Sequence, residues 1–557
     1  MLPSRRLRFG ITGLGPTFPA WQARCLEELR RLPDVRPALF IVPVTESPAF
    51  ETIRTPRREP FLFQAYSKLL PPKAFWRIDM RGTLSDLPSL EYRMHKRHES
   101  PPGHDESDVG GIREHDLDFI LHFASGGVPG GLLSAARYGA WSFRFDDGER
   151  YRGSPPGFWE IYHGDPVNGA ALERLRIGAE ANTVLRRGFF RTALHSWRQN
   201  IDEVHFGVAG WAASVSKDIL AGRTAYLEGP PSLASSPVLT APTNSDMVRF
   251  LGRQTRHAIR RAGKGLLRHE EWCIGIVDRP IESFLEPHDS MPVRWFRPPG
   301  EGRFIADPFG VEMDGAVRIL YEDFRYRTAT GVIATMEASD PGPPSPPNVA
   351  LELPVHASYP YLVVDRGEIF CVPETHEARE VVLYRAVDFP TRWEKAATIL
   401  RGPAALDGTV FQHEGRWWLT YTDRDAGQYV HLFVWHSKQL EGPWEPHAQN
   451  PVKADVRSAR PAGTPFVHDG HLYRPAQDCS RTYGGSITLN RILRLTPDAF
   501  AEEPAAVIRP VSDGPFPDGI HTISSVGDMT LIDGKRHRFI PSAIPYVIRS
   551  SRSRSGA

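Results

Sequence analysis

One short motif recurs along the second half of this 557-residue chain. It reads FIADPF at 304–309, SYPY at 358–361, LDGT at 406–409 and GTPF at 463–466, and a looser copy follows at 524–534. Each copy is followed by a glycine turn and then by an apolar or aromatic strand-like run. Strand-and-turn units of about 50–60 residues are typical of propeller blades, because one such unit cannot bury its own face. The repeat therefore predicts an all-β, five-bladed propeller.

The composition sets wider limits on the chain. Its length exceeds what one hydrophobic core supports, so two or three domains are expected. A net charge of +1 gives no argument for a nucleic-acid partner. The four cysteines are isolated, which suits a reducing compartment and predicts no metal site. No apolar leader or run of ~18 apolar residues is present, so we expect a cytoplasmic protein without a membrane span.

The first half of the chain alternates strand and helix patterns. Strand-like segments lie at 8–12, 37–44, 117–122 and 139–143, and a polar, loop-like segment lies at 95–115. This alternation predicts an α/β domain with a Rossmann-like parallel sheet. A stretch rich in Pro, Ser and Ala at 229–243 reads as a linker before an Arg-rich helix. The predicted parts are a domain at 1–228, the linker and helix at 229–270, the propeller at 271–545 and a disordered tail at 546–557.

A second motif lies in the first half. It comprises Tyr151-Arg152-Gly153, Pro155-Pro156 and Gly164-Asp165 within a run that starts at residue 139. This frame resembles the folate-dependent formyltransferase domain over residues 8 to about 190. The resemblance implies an Asn that holds the formyl oxyanion, a His that moves the proton and an Asp that orients the His. The corresponding positions in this sequence are Ser142, Arg144 and Glu180.

These replacements leave three interpretations of the first domain open. Arg144 cannot act as a general base, because a guanidinium keeps its proton at neutral pH. The favoured interpretation is therefore a formyltransferase-like domain that is inactive in folate-dependent transfer. A formyltransferase with altered machinery would still need formyl-tetrahydrofolate as its cofactor. In the third interpretation, Arg144 and Arg152 bind a phosphate or carboxylate.

Carboxylates mark only some of the repeat copies. Asp307 and Asp407 begin blades near the propeller axis, and Glu374 ends the outgoing strand of the second blade. Three carboxylates that face one funnel can supply a base, an acid and a group that tunes both pKa values. Asp-Pro and Asp-Gly also start turns, so a purely structural role stays open for each aspartate. The corresponding places in the other copies are predicted to be Ser358, Gly463 and Ser524.

Further phrases narrow the kind of propeller. Besides the repeat motif, they are PET at 373–375, LYR at 383–385 and RPAQDCS at 474–480. Over about 272–541 the chain resembles the propeller domain of plant glucosamine inositolphosphorylceramide transferases, and more distantly the propellers of family 43 and 32 glycoside hydrolases. The hydrolase resemblance implies Asp307 as the catalytic base, Asp407 as the orienting aspartate and Glu374 as the acid.

A polar cluster after the fourth blade's strand is a candidate substrate-binding site. Arg, Gln, Asp and Tyr side chains suit the hydroxyl and anionic groups of a sugar. His521 begins the last blade, and the other propeller histidines lack metal-ligand spacing. The predicted substrate-binding residues are Arg474, Gln477, Asp478, Tyr483 and His521.

Three functions stay open on the sequence. The favoured one is a carbohydrate-active protein of bacterial glycan metabolism, whose propeller binds a glycan or sugar nucleotide and cleaves or transfers a glycosyl unit. The second is a sugar or amine N-formyltransferase with the propeller as its specificity module. The third is a non-catalytic glycan-binding protein. The sequence indicates neither the sugar nor the oligomeric state.

Overall fold

The computed structural model describes residues 6–44, 60–93, 104–123, 130–176, 182–231, 236–286, 292–344 and 346–544. The chain forms two compact units, Met1–Ala258 and Ile259–Ala557. The boundary between them falls within one long helix, Asn244–Leu267.

The first unit is built on a seven-stranded sheet. The strands of this unit are β1 (Leu7–Thr12), β2 (Thr17–Pro19), β3 (Val35–Val44), β4 (Arg77–Asp79), β5 (Ser89–Arg93), β6 (Phe119–His122), β7 (Ala140–Arg144), β8 (Arg152–Gly153), β9 (Val167–Arg174), β10 (Thr183–Arg191) and β11 (Val238–Leu239). The order across the sheet is β10-β9-β7-β6-β1-β3-β5. Strands β7, β6, β1, β3 and β5 are parallel, whereas β9 and β10 are antiparallel. The predicted parallel sheet is confirmed in these five strands.

The central strands of this sheet have continuous apolar sequences because both faces of the sheet are covered. All four residues of β6 are buried. Across the three neighbouring strands β1, β6 and β7, the Phe119 ring stacks on Phe9 and Trp141, with centroid distances of 5.2 and 4.0 Å. This aromatic stack fixes the centre of the sheet.

One helix and one strand lie where the sequence predicted none. The helices are α1 (Ala20–Arg30), α2 (Phe61–Leu69), α3 (Arg81–Leu84), α4 (His104–Arg113), α5 (Gly130–Leu133), α6 (Phe158–His163), α7 (Trp197–Gly207), α8 (Trp211–Leu220) and α9 (Asn244–Leu267). The polar segment predicted as a loop at 95–115 contains α4, whose Val109 and Ile112 are buried in the core. Within the predicted linker, β11 pairs with β8, so this stretch is partly held on the first unit.

The second unit is a five-bladed β-propeller. Its strands are β12 (His269–Val277), β13 (Arg294–Trp295), β14 (Arg303–Met313), β15 (Ala316–Arg325), β16 (Thr330–Glu337), β17 (Asn348–Leu351), β18 (Ser358–Asp365), β19 (Glu368–Glu374), β20 (Glu380–Asp388), β21 (Arg392–Arg401), β22 (Ala405–His413), β23 (Arg416–Asp423), β24 (His431–Ser437), β25 (Glu445–Pro446), β26 (Lys453–Ala454), β27 (Phe466–His468), β28 (His471–Asp478), β29 (Ser486–Thr496), β30 (Ala499–Ile508), β31 (Ile523–Val526) and β32 (Met529–Arg538). Blades one to four are β14–β17, β18–β21, β22–β25 and β27–β30, and β26 pairs with β24.

The fifth blade combines the two ends of the propeller sequence. Its order is β13-β12-β32-β31, so strands from both ends of the unit share one sheet. The antiparallel pairing of β12 and β32 runs from His269↔Arg538 to Val277↔Thr530. This pairing closes the ring and leaves fewer strand edges open.

The inner strands of the first three blades share one irregularity. The register of each shifts at the repeat motif, where Asp307, Tyr359 and Asp407 have φ values of 53°, 43° and 51°. A bulge of this kind re-aims the side chain of the inserted residue. The equivalent residue in the second blade is therefore Tyr359, and the predicted equivalence of Ser358 is wrong by one position, because Ser358 pairs with Glu374 before the bulge.

Candidate functional site

Four carboxylates from the first three blades lie close together, at or opposite the bulges in the inner strands. Asp307 and Asp407 occupy the bulges of β14 and β22. Glu322 and Glu374 pair with the residue that precedes the bulge in β14 and β18. All four side chains are buried, with 3% to 7% of each residue exposed. The repeat thus brings the predicted Asp307, Asp407 and Glu374 into one region and adds Glu322 to them.

Asp407 is held by a dense set of donors. Arg460 donates two hydrogen bonds, from Nε to Oδ2 at 2.5 Å and from Nη2 to Oδ1 at 3.1 Å. Gln477 donates from Nε2 to Oδ2 at 2.6 Å. Burial raises the pKa of Asp407, whereas the Arg460 guanidinium and its hydrogen bonds oppose this rise. Asp407 therefore orients Arg460 and Gln477 and has little freedom to act as a nucleophile.

Asp307 belongs to a chain of acidic groups joined by His521. Thr522 Oγ1 donates to Asp307 Oδ1 at 2.8 Å, and the Tyr359 backbone N–H donates to Oδ2 at 3.2 Å. The His521 ring lies between two carboxylates, 3.3 Å from Asp307 Oδ1 through Nε2 and 2.7 Å from Asp533 Oδ2 through Nδ1. Burial lowers the pKa of His521, but these two carboxylates outweigh it and raise the pKa above its ordinary value.

The two glutamates have opposite protonation tendencies. Burial would raise the pKa of Glu374, but a hydrogen bond with His376 and the Arg460 charge lower it to about 2. His376 Nδ1 lies 3.0 Å from Glu374 Oε1, and the Asp407 N–H donates to Oε2 at 2.9 Å. Burial and the charges of Asp307 and Glu374 hold the pKa of Glu322 well above its ordinary value. The pKa values of these two glutamates are therefore shifted in opposite directions within one buried cluster.

Aromatic rings line the same cluster. The His521 ring centroid lies 3.9 Å from the centroid of Trp272 and 5.2 Å from that of Tyr483. The Arg460 guanidinium carbon is 5.0 Å from the Tyr483 centroid and 5.6 Å from that of Tyr429. Aromatic faces beside carboxylates and a guanidinium suit a ligand with both apolar and hydroxyl surfaces.

The predicted substrate-binding set is divided by the structure. Gln477, Tyr483 and His521 lie in the carboxylate cluster, as described above. Arg474 does not, because its guanidinium is buried against Glu502 and the Ser458 carbonyl within the fourth blade. Asp478 accepts from the Ser480 N–H at 2.9 Å, which is a local turn contact.

Several residues of the cluster escaped the sequence reasoning. Glu322 could have been found, because it stands where Glu374 stands in the next blade. Tyr359 could have been found by shifting one copy of the motif by a residue. Arg460 stands in no copy of the motif, and Asp533 stands at the end of the looser fifth copy. Their contacts, with Asp407 and Asp307 respectively, span 53 and 226 residues.

In the first unit, Arg144 is occupied by internal contacts. Its Nε donates to Glu173 Oε1 at 2.8 Å, and its Nη1 contacts the Asp146 carboxylate and carbonyl. A guanidinium satisfied in this way has few donors left for a phosphate or carboxylate, so the interpretation of Arg144 as an anion ligand is not supported. Ser142 lies beside it on β7, opposite Glu173, and Glu180 lies outside the described residues.

Arg152 lines a small cleft that contains a buried acid. Tyr151, Pro155, Trp159 and Glu160 lie in its wall. Burial raises the pKa of Glu160 to about 8, and the nearby Asp146 carboxylate adds to this rise. The cleft thus places a protonated carboxyl group, rather than a general base, beside the Tyr151-Arg152-Gly153 loop.

Fold and site together define a five-bladed propeller with a buried cluster of carboxylates, joined to an α/β unit. Residues 299–511 match the family described as "Glucosamine inositolphosphorylceramide transferase 1, N-terminal". The chain is 34% identical over 223 residues to glucosamine inositolphosphorylceramide transferase 1 of Oryza sativa subsp. japonica, covering 38% of this chain and 30% of the relative. For the Arabidopsis thaliana protein the values are 35% over 205 residues, 36% and 27%. The propeller resemblance is confirmed, and the chain spans less than a third of each relative.

Solved structures give more distant likenesses. A family-43 glycoside hydrolase has 13% identity and a TM-score of 0.28, covering 37% of this chain and 77% of that structure. A phosphoribosylglycinamide formyltransferase from Bacillus halodurans also has 13% identity and a TM-score of 0.28, covering 39% of this chain and 98% of that structure. Among the described residues, no helix has the length and apolar character needed to cross a membrane.

Proposed function

We propose that the propeller is a carbohydrate-active site that binds a sugar at the carboxylate cluster and transfers or hydrolyses a glycosyl unit. The observation that supports this most directly is the buried cluster of four carboxylates, in which the pKa of Glu374 is lowered and that of Glu322 is raised. Glycosyl transfer needs such a pair, because one group must give a proton while the other takes one. The match to a transferase family agrees with this chemistry.

The pKa order suggests roles that differ from those implied by the hydrolase resemblance. Glu322 gives its proton to the glycosidic oxygen as the bond to the sugar breaks. Glu374 takes the proton of the attacking hydroxyl group or water. Asp307, Asp407 and Arg460 bind hydroxyl groups and hold the sugar in place. In this proposal Glu322, and not Glu374, is the acid.

The proposal is tested with a panel of nitrophenyl glycosides and sugar nucleotides. Turnover is followed by release of nitrophenolate or nucleotide, and binding is followed by calorimetry. Glu322→Gln should keep binding and lose about 100-fold or more of the turnover, because it cannot donate a carboxyl proton. Asp407→Asn should weaken binding as well, since it frees Arg460 from its ion pair.

Asp425→Asn is the matched control, because Asp425 is an exposed residue of the third blade that pairs only with Arg379 in the described structure. It should behave as the wild type. Turnover by Glu322→Gln at the wild-type rate would contradict the acid role. Binding without turnover in every protein, including the wild type, would favour the non-catalytic glycan-binding function.

For the first unit we propose a formyltransferase-like scaffold that does not perform folate-dependent transfer. The support is that Arg144 stands where that family has its proton-shuttling His and is tied to Glu173 and Asp146. Calorimetry with formyl-tetrahydrofolate should give no heat of binding at millimolar ligand. Binding, followed by formylation of an amino sugar, would overturn this proposal and favour the N-formyltransferase function.

A further inference from the structure

Large apolar side chains are exposed along residues 61–78 of the first unit, here called the 61–78 surface. Phe61 and Leu69 are 74% and 78% exposed, and Trp76 is 51% exposed. Exposed single apolar residues are common on proteins, but a group of them in one short segment marks an interaction site. The exposed apolar residues of this segment are Phe61, Leu69, Leu70, Phe75, Trp76 and Ile78.

The local structure explains why these side chains point outward. Helix α2 uses Phe63 and Tyr66 to pack on Trp197 and Phe250. Phe61 and Leu69, eight residues apart, share another side of the helix. After the helix, β4 pairs with β2 in a two-stranded sheet, and all three residues of β4 are exposed. The core therefore takes Phe63 and Ala74 from this segment, and the six apolar residues named above stay exposed among the described residues.

The charge of this segment is clearly positive, unlike that of the whole chain. Between residues 61 and 81 there are four basic residues and one acidic residue, which gives a local charge of +3. The basic residues are Lys68, Lys73, Arg77 and Arg81, and all are exposed. Within the described part of the chain, neither lysine forms an ion pair, and Arg81 pairs only with Asp79, at 3.6 Å. Cations alternate with aromatic and aliphatic side chains along the segment.

We propose that the 61–78 surface docks on an anionic lipid bilayer. Aromatic and aliphatic side chains insert at the boundary of headgroups and acyl chains, while Lys and Arg side chains bind lipid phosphates and carboxylates. A second copy of the chain is a poor occupant, because a symmetric contact would place one +3 segment against another. Docking of this kind holds the unit at a membrane surface and needs no helix that crosses the membrane.

The test is co-sedimentation of the full-length chain with vesicles. We expect weak sedimentation with phosphatidylcholine alone and strong sedimentation when about a third of the lipid is phosphatidylserine. High salt should reverse the binding, because lipid charge contributes to it. The double variant Lys68→Gln/Lys73→Gln should lower the partition coefficient by about fivefold per lysine. The variant Leu69→Ser/Trp76→Ser should lower it by at least about tenfold, since insertion depends on apolar area.

The matched control is Val467→Ser/Leu493→Ser, which changes two comparably exposed apolar residues of the propeller. It should sediment as the wild type does, and circular dichroism should give the same melting temperature for all variants. The proposal is overturned if the wild type stays in the supernatant, or if the control loses binding equally. It is also overturned if light scattering finds a dimer that Leu69→Ser/Trp76→Ser separates, because the occupant is then a second copy.

Discussion

At the residue scale, the ion pair of Asp407 and Arg460 is a contact of the propeller that a single substitution should disrupt strongly. The pair is buried, and Arg460 contacts Asp407 through two donors. Removing Asp407 leaves the buried Arg460 guanidinium with Glu374 as its remaining carboxylate partner, 3.8 Å away, and breaking a buried pair typically costs about 3–5 kcal/mol. We therefore expect Asp407→Ala to lower the free energy of unfolding of the propeller by about this amount, measured by urea denaturation.

Asp425→Ala serves as its control. This residue also pairs with an arginine, Arg379, but both partners are more than half exposed. Exposed ion pairs contribute about 0–1 kcal/mol, so the control should unfold close to the wild type. Equal losses in the two variants would argue that the buried pair is not a key contact of the propeller.

A second residue-scale prediction concerns Glu160. Its pKa is about 8 in the folded state against an ordinary value of 4.5, because it is buried near other carboxylates. The folded chain keeps this proton between these pH values, while the unfolded chain releases it. The folded state therefore loses stability as the pH rises from about 4.5 to 8. Glu160→Gln removes this loss and should be more stable than the wild type at pH 8, by on the order of a few kcal/mol.

The measurement is a pair of thermal melts, at pH 5 and pH 8, for the wild type and the variant. At pH 5 the wild type and the variant should differ little in stability, since residue 160 of the folded chain is then neutral in both proteins. Glu149→Gln, an exposed change nearby, should alter neither melt by more than a few tenths of a kcal/mol. A variant that is less stable than the wild type at pH 8 would show that Glu160 is ionised and paired.

At the scale of elements, the contact between the fourth and fifth blades depends on one glycine. Gly463 has a φ of 117°, and a Cβ there would lie 1.7 Å from the Ile523 carbonyl oxygen. The neighbouring backbone of β31 cannot yield as a flexible side chain would. Gly463→Ala should therefore destabilise the propeller by about 3 kcal/mol or more, measured by denaturant unfolding.

Gly470, in the turn between β27 and β28, separates this effect from backbone strain. It has a φ of 75°, but no heavy atom lies within 4 Å of its added Cβ. Gly470→Ala should then cost only the left-handed conformation, about 1 kcal/mol. If the two variants lose the same stability, the close approach of the two blades is not what requires glycine.

The strands of the propeller also show which features could be predicted from the sequence and which could not. The repeat predicted five blades because each copy carries its own turn glycine and strand, which are local signals. It missed that β12 belongs to the last blade, since this pairing joins residues more than 250 positions apart. It also assigned Ser358 in place of Tyr359, because a bulge inserts one residue that the motif spacing does not reveal.

The candidate site was predictable to a similar degree. Asp307, Glu374 and Asp407 stand in motif copies, so the repeat itself pointed to them. Arg460, which holds Asp407, stands in no copy and became visible only through its contacts. The structure places Arg474 outside the carboxylate cluster, and a charge next to a polar motif gives no sign that a buried partner on β30 occupies it.

At the scale of the whole molecule, the two units carry separate cores and separate chemistry. The matched family covers residues 299–511, which lie within the propeller. The α/β unit lies outside that match, and its buried Glu160 and occupied Arg144 belong to it alone. The functional proposals for the two units can therefore be tested independently, and we expect the two units to unfold independently.

This independence gives the last prediction. Differential scanning calorimetry of the full chain at pH 8 should resolve two transitions, because units with separate cores unfold separately unless a large interface couples them. Asp407→Ala should lower the temperature of one transition, and Glu160→Gln should raise that of the other. Each variant should leave the second transition within about 1 °C of the wild type, since distant sites act additively. A single transition that both variants move would mean that the two units unfold as one cooperative body.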